Sequence, residues 1–417
     1  MKKILSLLIL SAVLVMCLVC CGKDEKPSSD VKAGDVFGEN TVGEILGEEV
    51  VEKEPEPPKA ATVNKSSYSV ADDMAWTLDS GVLVISGNGK MPGFRRSSEW
   101  PWYDDKKEIT KIVIEEGIQS VGESAFYDYS KVKEIVLPSS LVFIDTCAFE
   151  GCSNLTSVVI PEGTLSVGQN AFSACFELRE VSLPSTLIRI EENGFSSCGE
   201  LKNINLPESL EYLGESVFSS SGLNEISLPE GLIEIGEEVF WNNYNLETVT
   251  LGCSIDMPNI FPECKKIKNV YVSNYYLYEN GILYNQDKTT LIAALDMSIT
   301  QVTIPETVTK ISSDAFNKSN LESVVIPANV KSLGDRVFMS CKNLSSVTVE
   351  NGLESVGKFA FAFCERLSKI DFPESVKSVE YGAFRGCTLD ISFASPESKI
   401  DFNHDDDSRA TLNVTFA

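Results

Sequence analysis

The chain has 417 residues, 43% of them hydrophobic, and a formal net charge of −26 from 61 acidic and 35 basic residues. That balance argues against binding nucleic acid through its phosphates, which needs a basic face, and equally against peripheral adhesion to anionic lipid. A single histidine, His404 in the acidic stretch 403–407, leaves any catalysis by a histidine base one residue to run through, and a solvated surface role is the simpler reading of it.

Residues 1–21 have the layout of an export signal. Lys2 and Lys3 precede an apolar run from Ile4 to Val19 that is short for a membrane span. The run ends Leu18-Val19-Cys20-Cys21-Gly22, which resembles a bacterial lipobox with Cys21 as the lipidated residue. Cys20 stands where that motif carries Gly, Ala or Ser, so Cys20 is the alternative anchor. Residues 22–67 hold Pro27, Pro55, Pro57 and Pro58, the acids Glu48, Glu49, Glu52, Glu54 and Glu56, and one aromatic, Phe37. Such a segment cannot bury enough apolar surface to offset its ordering entropy, and it is predicted to be a disordered acidic tether. About 45 flexible residues have an r.m.s. reach of about 35–40 Å.

Residues 68–106 are predicted to form an N-terminal β cap. Trp76-Thr77-Leu78 and Val82 to Ile85 flank the turn Asp79-Ser80-Gly81, and Phe94, Trp100, Trp102 and Tyr103 supply aromatic cover. Gly87-Asn88-Gly89-Lys90 lacks the four-residue gap and the following Ser or Thr of a phosphate loop, and it is assigned to the cap.

From residue 107 to 264 a pattern repeats. Phe126, Phe149, Phe172, Phe195, Phe218 and Phe240 follow one another at steps of 22 or 23 residues, and Phe316, Phe338, Phe361 and Phe384 continue the series between 299 and 387. A period of that length marks a solenoid whose repeats bury their apolar residues only against their neighbours. In the unit from Ser153 to Cys175, Leu155, Val158 and Ile160 make a short strand that Pro161 stops. Leu165 and Val167 make a second strand, and Ala171-Phe172 brings the chain back. The predicted fold is mainly β with short turns and helices, a solenoid of 22–23-residue repeats capped by β-hairpins at both ends. The ten phenylalanines are its structural core, and about eleven turns at about 4.7–4.9 Å give a rod of about 55 Å.

Three residues after the Phe runs a cysteine column: Cys152, Cys175, Cys198, Cys264, Cys341, Cys364 and Cys387. Export suggests disulfides. Tyr129, Ser221, Asn243 and Ser319 fill the same slot elsewhere, however, and stacked cysteines have poor bridging dihedrals. A ladder of small buried thiols is expected instead. Within the column no C-x-x-C pair or nearby histidine completes a metal site, so neither metal nor cofactor is expected. Cys147 and Cys253 lie outside the column.

Between 265 and 298 the regularity lapses. Glu279-Asn280-Gly281 reads as a hairpin turn in a tyrosine-rich β-island with Thr289 to Ile292 as a third strand. It is either a binding insertion or a splice between two repeat blocks with its tyrosines packed. Residues 388–417 are predicted to close the rod as a C-terminal β cap, from Leu389 to Phe393 and Thr411 to Phe416.

These motifs resemble the BspA-type, or Treponema pallidum type, leucine-rich repeats. The resemblance runs from about Trp76 to Phe393 and rests on the front motif L-x-I-S-G-N-G-K-M-P, the later Pro101-Trp102, the I-x-x-A-F-x-x-C repeats and the island D-K-T-T-L-I. Glu115, Glu350 and Gly252 replace the usual proline, which touches only local turns. The family implies a surface-exposed or secreted bacterial protein, in some members an adhesin, with no fixed catalytic or binding residues to carry over. The expected function is therefore that of a lipid-anchored surface protein presenting its solenoid for adhesion or protein–protein interaction, not that of an enzyme. Expected partners are a host or bacterial surface protein, with a glycan as the alternative, the membrane through the lipid anchor only, and no nucleic acid. A purely structural envelope role is a third reading. Tyr127, Phe176, Trp241 and Tyr244 around the turn after Phe, and Tyr212 beside a second strand, are candidate protein anchors. Tyr275, Tyr276, Tyr278 and Tyr284 are candidate stacking faces for sugars.

Overall fold

The computed structural model describes residues 69–71, 74–94, 96–255, 260–403 and 410–417. The signal, lipidation and tether readings at 1–67, and His404 with its acidic neighbours, lie outside the described residues.

The chain winds as a β-solenoid with about 23 residues to a turn, and a typical turn lays down two short strands. The first is typified by Ser157–Val159 and the second by Ser166–Val167. The 23-residue step places equivalent residues over one another in parallel: Ser157 pairs with Glu180, and Ser166 pairs with Phe143 on one side and Arg189 on the other. Proline ends the first strand because it brings no N–H, and its carbonyl closes the corner by accepting from the residue three positions on, as Pro161 does from Thr164 at 3.3 Å.

The two ladders differ in continuity. Second strands form one unbroken seven-stranded sheet from Gly89–Lys90 to Glu234–Ile235. First strands separate into three sheets over the same stretch, ending at Glu134–Val136, Glu180–Ser182 and Asn269–Val272. The first repeat ladder therefore runs past the boundary at 264 drawn from the sequence, because Asn269–Val272 still pairs in parallel with Thr248–Leu251.

Phenylalanine occupies the core as expected. All ten side chains are buried. Their rings stack at centroid distances such as 5.2 Å between Phe172 and Phe195, with planes 2° apart. The column begins earlier than the repeats suggest, since Trp100 stacks on Trp102 at 5.0 Å and Trp102 on Phe126 at 5.7 Å. Phe261 extends it, 5.3 Å from Phe240.

The backbone around each ring is held in an unusual way. Residues two before and two after the Phe have left-handed φ, for example Asn170 (54°) and Ala174 (57°) around Phe172. This geometry turns the N–H groups of alternate residues along the stack, so that Asn170, Phe172 and Ala174 each donate to the next turn, at Glu192, Gly194 and Ser196. Cys147 gains a place here: it fills the left-handed position before Phe149, at φ 54°.

At the N-terminal end, Met74–Asp79 and Val82–Gly87 form the expected antiparallel hairpin. The C-terminal end departs from expectation. Thr388–Phe393 and Thr411–Phe416 make no hairpin; they pair in parallel. Their starts are one repeat apart, so the chain completes another turn instead of reversing, with Asp401–Phe402 as its second strand on Ser378–Val379. A further ring column, Phe372–Phe393–Phe416 at 5.2 Å each, follows from that.

The island consists of Tyr276–Glu279, Ile282–Asn285 and Thr290–Ala294 in an antiparallel meander, with Thr290–Ala294 then starting the second parallel ladder at Lys310–Ile311. It stands between two cores. Tyr276 and Leu283 pack into the cluster of the first block, while Ile282, Tyr284 and Leu291 pack into that of the second.

Candidate binding surface

The column after the Phe explains which side chains can point outward. Cys152, Cys175 and Cys198 each donate through Sγ to the carbonyl of the Phe one turn back, at 3.3–3.4 Å. Ser221 and Asn243 make the same bond at 2.9 and 2.8 Å to Phe195 and Phe218. The slot thus selects for a small donor beneath a buried carbonyl, which is why Cys, Ser and Asn interchange. The nine described cysteines are free, and burial pushes the thiols of Cys175 and Cys264 up to about 12. Such thiols are inert as nucleophiles or ligands. Among the described residues, no group of three or more His, Cys, Asp or Glu side chains is placed to hold a metal ion.

With the turn pinned on both sides of the ring, the residues one and four positions after Phe stand on a rigid frame. There Tyr127, Phe176, Trp241 and Tyr244 are all exposed, Phe176 and Tyr244 at 55% and 53%. Trp241 and Tyr244 share a single turn. Ser173 and Ser196, and Ser153 and Gly199, hold the equivalent positions in turns between.

Tyr212 is half-buried and already engaged: the Arg189 guanidinium lies 3.8 Å from its ring centre, and Arg189 Nε donates to Glu191 at 2.8 Å. The island tyrosines divide. Tyr275 is exposed, Tyr278 half-buried, and Tyr276 and Tyr284 are only 3% and 4% exposed. Tyr276 Oη donates to the Ile255 carbonyl at 2.7 Å, and burial pushes the Tyr284 hydroxyl up to about 12. Tyr276 and Tyr284 therefore offer no stacking face to a sugar, because both faces of the island are covered by repeat cores.

Other exposed residues were not singled out from the sequence. Tyr271 (60%) and Val159 (67%) occupy the outward position of first strands, and Ile233 precedes a second strand. The strand alternation around Val158 and Val270 was the signal that could have found the first two.

Charge is uneven along the solenoid. Residues 107–264 carry 25 acidic against 7 basic side chains, whereas residues 299–387 carry 10 of each. The two blocks meet through an ion pair between Glu263 and Lys318, which occupy the same left-handed position two residues after Phe261 and Phe316.

A family model, the BspA type leucine rich repeat region in its six-copy form, matches residues 102–221, 143–268, 188–291 and 294–403. Among solved structures, a leucine-rich repeat protein from Eubacterium ventriosum is similar at 20% identity and a TM-score of 0.52, over 83% of this chain and 95% of that one. A leucine rich cell surface protein from Faecalibacterium prausnitzii is similar at 22% identity and a TM-score of 0.47, over 86% of this chain and 96% of that one. A search of curated proteins finds no match.

Proposed function

The chain belongs to the BspA-type leucine-rich repeat family, and from that premise we propose that it is a bacterial surface protein that holds another macromolecule on its solenoid. The partner is a host or bacterial surface protein, and no catalytic step is assigned to the chain. The observation that carries this reading is the exposure of Tyr127, Phe176, Trp241 and Tyr244 on a frame whose own rings are all buried. Aromatic side chains on rigid backbone lose little entropy on contact and are favoured as anchors. Trp241 and Tyr244 are the two large aromatics that one turn presents together.

Anchoring through a lipid on Cys21 is the second part of the proposal, supported by the lipobox-like Leu18-Val19-Cys20-Cys21 and the polar stretch after it. Export and a spacer would set the repeats clear of the headgroups.

Binding of the protein to an array of extracellular-matrix proteins tests the first part. A saturable signal that falls at least about tenfold in Trp241→Ala/Tyr244→Ala, at an unchanged melting temperature, is the expected result. A blank array, or a double variant that binds as the parent does, would overturn it. Mass spectrometry of the N-terminal peptide from membranes tests the second: an acylated Cys21 is expected, and an unmodified one argues for simple secretion.

A further inference from the structure

The gaps in the first-strand ladder open a second surface, in earlier turns of the stack than Trp241 and Tyr244. Between Glu180–Ser182 and Glu225–Leu228 the intervening turn, residues 203–206, forms no strand, although the second-strand ladder passes that level unbroken. Neighbouring turns tie the residue before the first strand to the turn below, as Arg179 N–H donates to Thr156 and Asn224 N–H to Lys202. No such bond joins Lys202 to Arg179 among the described residues. The parted rungs leave a shallow depression of about 360 Å³ on the outward face.

Its lining is chemically mixed. Ser157, Glu180, Ser182, Asn203 and Asn205 bring side chains with no hydrogen-bond partner among the described residues. Arg179 and Lys202 lie at the rim, near Glu177 and Glu200 at 2.5 and 3.9 Å. Arg179 is exposed and Lys202 half-buried, in a stretch from 134 to 264 otherwise dominated by acids; its third cation, Arg189, is buried on the other ladder. Val159 is exposed in register with Ser182, and the half-buried Val181 and buried Ile204 also line the depression.

We propose that this depression binds a neutral oligosaccharide segment, at a site in other turns than Trp241 and Tyr244. Sugar hydroxyls both donate and accept, and they match amides, hydroxyls and a carboxylate standing beside a guanidinium. The opposed charges at the rim cancel, which disfavours an ionic ligand of either sign. The exposed Val159 side chain suits the C–H face of a pyranose ring. A volume near the lower end of the ~300–1,000 Å³ range of small-ligand sites accommodates a short stretch of a chain that continues outward on either side.

The test titrates the full chain with cellotetraose, maltotetraose, chitotetraose and, as the charged arm, a heparin tetrasaccharide, followed by saturation-transfer NMR and calorimetry. Binding of at least one neutral sugar is expected, unchanged from about 50 to about 500 mM salt. It should weaken at least about tenfold in Asn203→Ala/Asn205→Ala and, as a second variant, in Arg179→Ala. Trp241→Ala/Tyr244→Ala should leave it intact. Binding confined to the heparin fragment, no saturation by any neutral sugar, or parental affinity in both depression variants would each overturn the assignment.

Discussion

The cysteine slot shows how little a residue's identity says apart from its place in the turn. Cys198 serves as a hydrogen-bond donor to Phe172, not as half of a bridge. Cys198→Ser keeps the donor and should stay within about 1 kcal/mol of the parent in urea unfolding, while Cys198→Val leaves a buried carbonyl unpaired and should cost about 1–3 kcal/mol. Equal costs for the two variants would refute the donor role. Asp145 provides a pH test. Burial is the main cause that raises its carboxyl to about 6, opposed by Lys90 and reinforced by Glu123. Because the folded state holds this proton more tightly than the unfolded chain does, the group weakens folding as pH rises from about 4 to about 6 and the cost persists above. Asp145→Asn should therefore stabilise at pH ~7 by up to about 3 kcal/mol and gain nothing below pH ~4. A benefit independent of pH would mean that the carboxyl is not the source of the cost.

At the scale of elements, the island acts as a joint. Its hairpin turns through Asn280 and Gly281 at φ 51° and 79°, and a Cβ on Gly281 would stand 2.6 Å from that of Asp296. Gly281→Ala should cost about 1–3 kcal/mol and broaden thermal unfolding, since it loosens the piece that both cores share. A transition as sharp as the parent's would show that the cores communicate elsewhere. The repeat and its ring column were legible because Phe recurs at a fixed step and tolerates no exposed alternative. The left-handed positions were not, since Ser, Cys, Asn, Glu, Arg and Phe all occupy them and the stacked backbone, not the side chain, sets φ. Nor did the island declare its burial: tyrosines on a hairpin read alike whether one face is covered or two. The last turn escaped notice because Thr411–Phe416 follows at the right spacing without the A-F-x-x-C signature.

For the molecule as a whole, charge divides what the fold joins. The first block carries all of the acid excess of the two repeat blocks, and all four tryptophans, at 76, 100, 102 and 241, lie on its side of the island. Self-repulsion destabilises a compact state and is relieved by salt. Tryptophan fluorescence should thus report a lower unfolding midpoint than far-UV circular dichroism at low salt, the two converging as salt is raised. Coincident midpoints at low salt would show that stacking couples the blocks more strongly than charge separates them. The ladders also dictate how the protein responds to tension. Hydrogen bonds between turns run along the stacking direction, so a pull along the stack loads them in series, and each turn that yields frees about 75–80 Å of chain. An attachment made through such a stack would give way by lengthening, one coil after another, before it let go.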